Sequence, residues 1–163
     1  MREKDKSDAF GDLDRHDRRI LSILASEGRI SIADLARRIG LSKSPTQARV
    51  KRLEETGVIT GYRAMFDPIR MGLDHVAFVE VRLNDTREAA LRAFNAAVAG
   101  IAQIEQAHMM AASFDYLLKV RTRDMRDYRR VLAEEITALP HVENTSTFVA
   151  MEAVKESDVA DVI

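Results

Sequence analysis

Ile39-Gly40-Leu41-Ser42-Lys43-Ser44-Pro45-Thr46-Gln47-Ala48-Arg49-Val50-Lys51-Arg52-Leu53 decides how the first third of this chain folds. Gly40 supplies the left-handed residue that ends one helix. Ser42 offers a side-chain cap for the next, and Ser44-Pro45-Thr46-Gln47, with proline at the first helical position, is a competing start. In either register Pro45 lies in the first turn, where its missing N–H costs nothing. Val50 and Leu53 turn inward and Gly57 terminates. Upstream, Ser31 with Asp34 resembles a capping box, and Leu35, Ala36 and Ile39 line one face of a helix that ends at Gly40. Before it, Leu13, Ile20, Leu21 and Leu24 recur at helical spacing, with Asp14 or Asp17 as cap and Gly28 as stop. The pattern predicts three short helices, the last two joined by a tight turn.

That arrangement has a consequence for charge. Residues 29–52 hold Arg29, Arg37, Arg38, Lys43, Arg49, Lys51 and Arg52 against Asp34 alone. Residues 1–65 hold 14 Lys+Arg and 10 Asp+Glu, leaving 11 and 16 for residues 66–163, so a basic front meets an acidic back. A basic front suggests a polyanionic partner for that part alone. A helix that reads double-stranded DNA exposes short polar side chains at its N-terminal end to the major groove. Here Ser42, Lys43, Ser44, Gln47 and Ala48 occupy that end. Ser44 and Gln47 suit base edges, and Ala48 suits a thymine methyl. Arg49, Lys51 and Arg52 lie farther along, where phosphate contact is expected. The alternative at this point is a three-helix bundle with a solvated basic face.

Beyond Gly57 the periodicity changes. Ile59 to Phe66 reads as a linker strand broken by Asp67-Pro68, and 75–83, rich in β-branched and aromatic residues, reads as a strand. A helix is expected over 86–99, strands over 101–110 and 116–121, a helix over 124–139 closed by Pro140, and a last strand over 145–154. The order is βαββαβ, so the fold class is α+β: a helix-turn-helix domain joined to a ferredoxin-like domain. The expected divisions are a mobile tail at 1–11, a DNA-binding domain at 12–58, a linker at 59–74, an oligomerisation and effector domain at 75–155, and a tail at 156–163. In the strand 75–83, Ala77, Val79, Val81 and Leu83 share one face. Val76 and Phe78 share the other with Glu80 and Arg82. Two helices cover only one face of a four-stranded sheet, so the half-apolar second face predicts dimerisation sheet against sheet.

Several function classes find no support. The chain has no cysteine, which excludes a disulfide framework and thiolate zinc sites. Its four histidines are scattered, so no metal is expected. No nucleophile motif or glycine-rich phosphate loop points to an enzyme, and no cofactor is implied. No apolar run reaches the length of a membrane span and the start has no apolar leader, so a cytoplasmic location is expected.

The segments Leu13–Leu21, Gly28–Ser31, Leu35–Ser42, Arg49–Glu54, Gly57–Tyr62, Phe114–Val120 and Met151–Lys155 together resemble the Lrp/AsnC (leucine-responsive) family of transcriptional regulators. Within it, Leu73–Val81 and Thr145–Val149 look like the subgroup that activates proline catabolism. The resemblance implies a winged-type helix-turn-helix and a domain that dimerises and assembles into octamers. It also implies an amino-acid effector, proline or a branched-chain amino acid, held near Ala112, Ser113, Phe114, Asp115, Thr145 and Thr147. Ala112 stands where the family usually has glycine, and its Cβ narrows the approach of a ligand carboxylate. An effector-independent DNA-packing protein of the same fold is the alternative reading.

Overall fold

A computed structural model describes residues 13–156; the tails expected at 1–11 and 156–163 lie outside the described residues, Glu156 excepted. The described residues divide into two compact units, one formed by residues 13–65 with Lys155 and Glu156, the other by Phe66–Val154.

In the first unit, α1 (Arg15–Ser26), α2 (Ile32–Ile39) and α3 (Lys43–Glu55) follow one another. Asp14 is the cap of α1. Its side chain accepts from the backbone of His16 and Asp17, and Asp17 reaches back to the Asp14 N–H, satisfying donors that have no partner inside the helix. Ser31 caps α2 through the Asp34 N–H at 3.1 Å. Gly40 then takes φ 75°, and Leu41 N–H closes onto the Ala36 carbonyl at 3.0 Å. Ser42 begins α3 directly, without a side-chain cap bond, so the competing start at Ser44-Pro45 is not used. Ile20, Leu35, Ile39, Val50 and Leu53 close the core between the three helices.

The segment 59–66 carries no strand. A strand requires a neighbour for its N–H and C=O groups, and this stretch is drawn instead to the end of α3. Ile59 N–H donates to the Leu53 carbonyl at 2.9 Å, and the Tyr62 hydroxyl donates to Glu54 at 2.9 Å.

The second unit has the expected βαββαβ order: β1 (His75–Leu83), α4 (Glu88–Val98), β2 (Ile104–Met109), β3 (Tyr116–Thr122), α5 (Met125–Val131) and β4 (Val142–Val149). The sheet order is β2-β3-β1-β4, every pairing antiparallel. Ala77, Val79 and Val81 of β1, with Leu118 and Val120 of β3, meet Phe94, Val131 and Ile136, all fully buried. The Phe94 and Tyr116 rings lie 4.4 Å apart.

Three elements of this unit differ most from the sequence reading; α4 and β3 differ from it by only one or two residues at an end. β4 begins at Val142 and ends at Val149, because its ladder with β1 runs from Leu83↔Val142 to Ala77↔Val149. β2 is shorter at both ends, bounded by its pairing with β3. The helix expected over 124–139 passes after Val131 into a π-helical turn, Leu132–Ile136. Val131 and Ile136 are five residues apart and both fully buried. The wider turn keeps that pair on the core side, where regular 3.6-residue winding would rotate Ile136 away.

Among the described residues no helix is long and apolar enough to cross a membrane.

Candidate functional site

The start of α3 is an open polar surface. Ser42, Lys43, Ser44, Gln47 and Ala48 are all exposed, and the side chains of Ser42, Ser44 and Gln47 have no hydrogen-bond partner among the described residues. The helix is held from behind by Thr46, Val50 and Leu53, one buried stripe at helical spacing. Thr46 escapes sequence reading because it is polar. It is fully buried, and its hydroxyl donates to the Ser42 carbonyl at 2.9 Å. Its place four residues before Val50 was the available signal.

The cations divide differently from the sequence expectation. Arg49 Nη1 lies 2.6 Å from Asp14 and 2.9 Å from Asp17, and Arg52 Nη2 lies 2.5 Å from Asp17. Asp17 is fully buried. Arg49 and Arg52, expected at phosphates, are thus turned onto the start of α1, because a buried carboxylate left without cations is strongly unfavourable. Hydrogen bonds from the Asp17 backbone and the Arg49 guanidinium hold the Asp14 carboxyl at about 2, below its ordinary 3.8. Arg37 pairs with Asp34, Arg38 with Glu27, and Lys51 loosely with Glu55 at 3.4 Å. Of the seven cations between residues 29 and 52, Arg29 and Lys43 have no carboxylate partner among the described residues.

The effector candidates form a second, looser group. Ala112 and Ser113 are exposed, while Phe114 and Asp115 are half-buried. Asp115 Oδ2 accepts the Leu83 N–H at 2.8 Å, and Asp115 N–H donates to the Val81 carbonyl at 2.9 Å. Arg82 Nη2 donates to the Ser113 carbonyl at 2.7 Å. The loop is thereby fastened to the end of β1, and one oxygen of Asp115 is committed to the backbone. The backbone amides of Ala112, Ser113 and Phe114 have no acceptor among the described residues. No residue there has a left-handed backbone, so alanine at 112 imposes no strain, and only its Cβ distinguishes it from glycine.

Thr145 and Thr147 do not join this loop. Thr145 pairs with Val81, which pairs on its other side with Tyr116, so β1 stands between them, roughly 10 Å or two strand spacings across. Thr147 shares a hydrogen bond of 2.5 Å with the Tyr128 hydroxyl. Depressions of about 660 and 340 Å³ follow the outer side of α5, lined by Arg126 and Arg130 among others, and neither includes the loop. No group of His, Asp and Glu among the described residues has a metal-holding arrangement.

On the sheet face away from the helices, Phe78 pairs with Phe148, 36% and 54% exposed. Lys119 and Arg121 beside them are both paired with Glu105.

A family model for a winged helix-turn-helix DNA-binding domain matches residues 13–60, and one for the Lrp/AsnC ligand binding domain matches residues 76–160. The chain is 55% identical over 148 residues to a proline dehydrogenase transcriptional activator of Rhizobium radiobacter, covering 91% of this chain and 95% of that protein. It is 56% identical over 146 residues to the protein of the same name from Rhodobacter capsulatus, covering 90% and 95%. A transcriptional regulator from Neisseria meningitidis, solved in complex with L-Met, superposes with a TM-score of 0.83 at 25% identity, covering 93% of this chain and 99% of that one.

Proposed function

The chain belongs to the Lrp/AsnC family of DNA-binding transcription regulators, and from that premise we propose that it activates a proline dehydrogenase gene in response to an amino acid, acting as a homo-oligomer in the cytoplasm. The observation that carries the DNA-binding half is the exposed, unengaged start of α3. Ser44 and Gln47 hydrogen-bond base edges, Ala48 packs on a thymine methyl, and the Ser42 hydroxyl, Lys43 and Lys51 approach the phosphates. The identity of more than half over nine-tenths of the chain to two proline dehydrogenase activators supports the choice of gene.

The effector reading rests on the 112–115 loop. An amino acid's carboxylate finds donors in the amides of Ala112, Ser113 and Phe114, and its ammonium finds the Asp115 oxygen that Leu83 leaves open. Proline is the first candidate and a branched-chain amino acid the second. Thr145 lies across β1 in the same chain, so a second copy closes the site. The paired Phe78 and Phe148 support dimerisation through the open sheet face, since a large exposed apolar pair favours a partner, with octamers built from such dimers.

Footprinting upstream of a proline dehydrogenase gene, with and without proline, tests this reading. A protected site whose occupancy or transcription output responds to proline is the expected result. Protection indistinguishable from random fragments would leave a DNA-packing protein; no calorimetric heat with proline, leucine, isoleucine or valine would remove the effector.

A further inference from the structure

The two carboxylates at the start of α1 sit against the helix that meets DNA, and they do more than cap. Asp17 Oδ1 takes Arg49, and its Oδ2 takes both Arg52 and the Asp14 N–H at 3.2 Å. Asp14 Oδ2 takes Arg49 as well, while its Oδ1 accepts the amides of His16 and Asp17. Arg49 and Arg52 are three residues apart on α3, so they form one ridge facing α1. Asp17 is fully buried, whereas Arg52 is half exposed and Arg49 about a quarter. Two of the strongest phosphate ligands on the recognition helix are therefore neutralised from within the protein, beside a surface that remains polar and uncharged except for Lys43.

We propose that Asp17, assisted by Asp14, is a positioning residue that sets DNA specificity. It withdraws Arg49 and Arg52 from the phosphate contacts and fixes the rotation of α3 about its axis. The physical basis is a division of labour in DNA binding. Phosphate contacts raise affinity for every sequence alike, whereas base-edge contacts discriminate. A recognition helix with Arg49 and Arg52 free would hold random DNA more tightly and read Ser44 and Gln47 less. Tying both to a buried carboxylate keeps nonspecific affinity low and stops the helix from turning toward the backbone.

The test uses the full-length protein, a duplex selected by the wild type from a random pool, and a random-sequence duplex of the same length. Binding to each is measured over a salt series. Asp17→Asn is expected to steepen the dependence of log K on log salt for the random duplex by about one unit, one added phosphate contact. The ratio of selected to random affinity is expected to fall by about tenfold, of the size of one lost base contact. Asp14→Asn is the second variant, because asparagine caps a helix as well as aspartate and so removes charge without removing the cap. It should change slope and ratio in the same direction by a smaller amount, and adding Arg49→Gln should return the slope to the wild-type value. A purely stabilising role predicts lower melting temperatures with slope and ratio unchanged. That result in folded Asp17→Asn, or in Asp14→Asn alone should Asp17→Asn not fold, overturns the proposal.

Discussion

The start of α3 and the loop at 110–115 use their polar groups in opposite ways. Ser42, Ser44 and Gln47 stand free on a helix held from behind by Thr46, Val50 and Leu53. In the loop, Asp115 and Ser113 are bonded to β1 through Leu83 and Arg82. A helix satisfies its own backbone, so side chains on its outer face remain available to a partner. A loop does not, and here the Ser113 carbonyl and the Asp115 side chain are recruited to close the chain onto the sheet. A surface built on one helix therefore keeps its side chains for a ligand, whereas the loop spends part of Asp115 on its own closure.

Asp115→Ala applies the greatest stress to this contrast. It leaves the Leu83 N–H without its charged acceptor and should cost about 1.5–3 kcal/mol of stability, read by urea denaturation, in addition to any loss of effector. A variant as stable as the wild type would mean that the loop is as free as α3. Gln47→Ala is the matching change on the helix. Its denaturation midpoint should stay within about 0.5 kcal/mol of wild type. Discrimination at one base pair should fall by about 1–3 kcal/mol in competition binding; a uniform loss over all sequences would put Gln47 on the backbone instead.

Gly40→Ala probes the turn that presents α3. An added Cβ meets nothing within 4 Å, so the cost is confined to the left-handed backbone, about 1–2 kcal/mol. DNA binding should weaken only as far as the folded fraction falls, which parallel circular dichroism and binding titrations would establish.

Acid sets the smallest effect apart. The Asp14 carboxyl lies at about 2 in the folded chain against its ordinary 3.8. Its lowered value stabilises the fold above about pH 4, and that contribution disappears as pH falls from 3.8 through about 2. Asp14→Asn should therefore lose that contribution, lowering the melting temperature near neutrality, and flatten its fall over the acid window. An unchanged acid limb would show that neither the Asp17 backbone bond nor the Arg49 pair holds the Asp14 carboxylate in solution.

Much of this was legible in the residues themselves. Gly40, Ser31 and the inward spacing of Val50 and Leu53 gave three helices and the exposed start of α3, because caps, turns and helical periodicity act over a few residues. The βαββαβ order followed from β-branched runs alternating with helical stripes. The linker strand did not form for want of a ladder neighbour, which nothing in residues 59–66 reveals by itself. The π-helical turn was hidden because Tyr128, Val131, Leu132, Ile136 and Leu139 read as one ordinary helical stripe; only the core shows that Val131 and Ile136, five residues apart, are both fully buried.

The sequence by itself determined the three helices, the βαββαβ order, the half-apolar second sheet face and the family, since each depends on local pattern or on segments read in line. Tertiary structure alone decided the pairing of charges. Asp14 and Asp17 lie 32 or more residues from Arg49 and Arg52, and a count of basic residues over 29–52 passes them by. Folding α1 against α3 brings the two groups within 3 Å, and burial of Asp17 makes the pairing obligatory, because a carboxylate removed from water has to recover its lost solvation from the cations that face it.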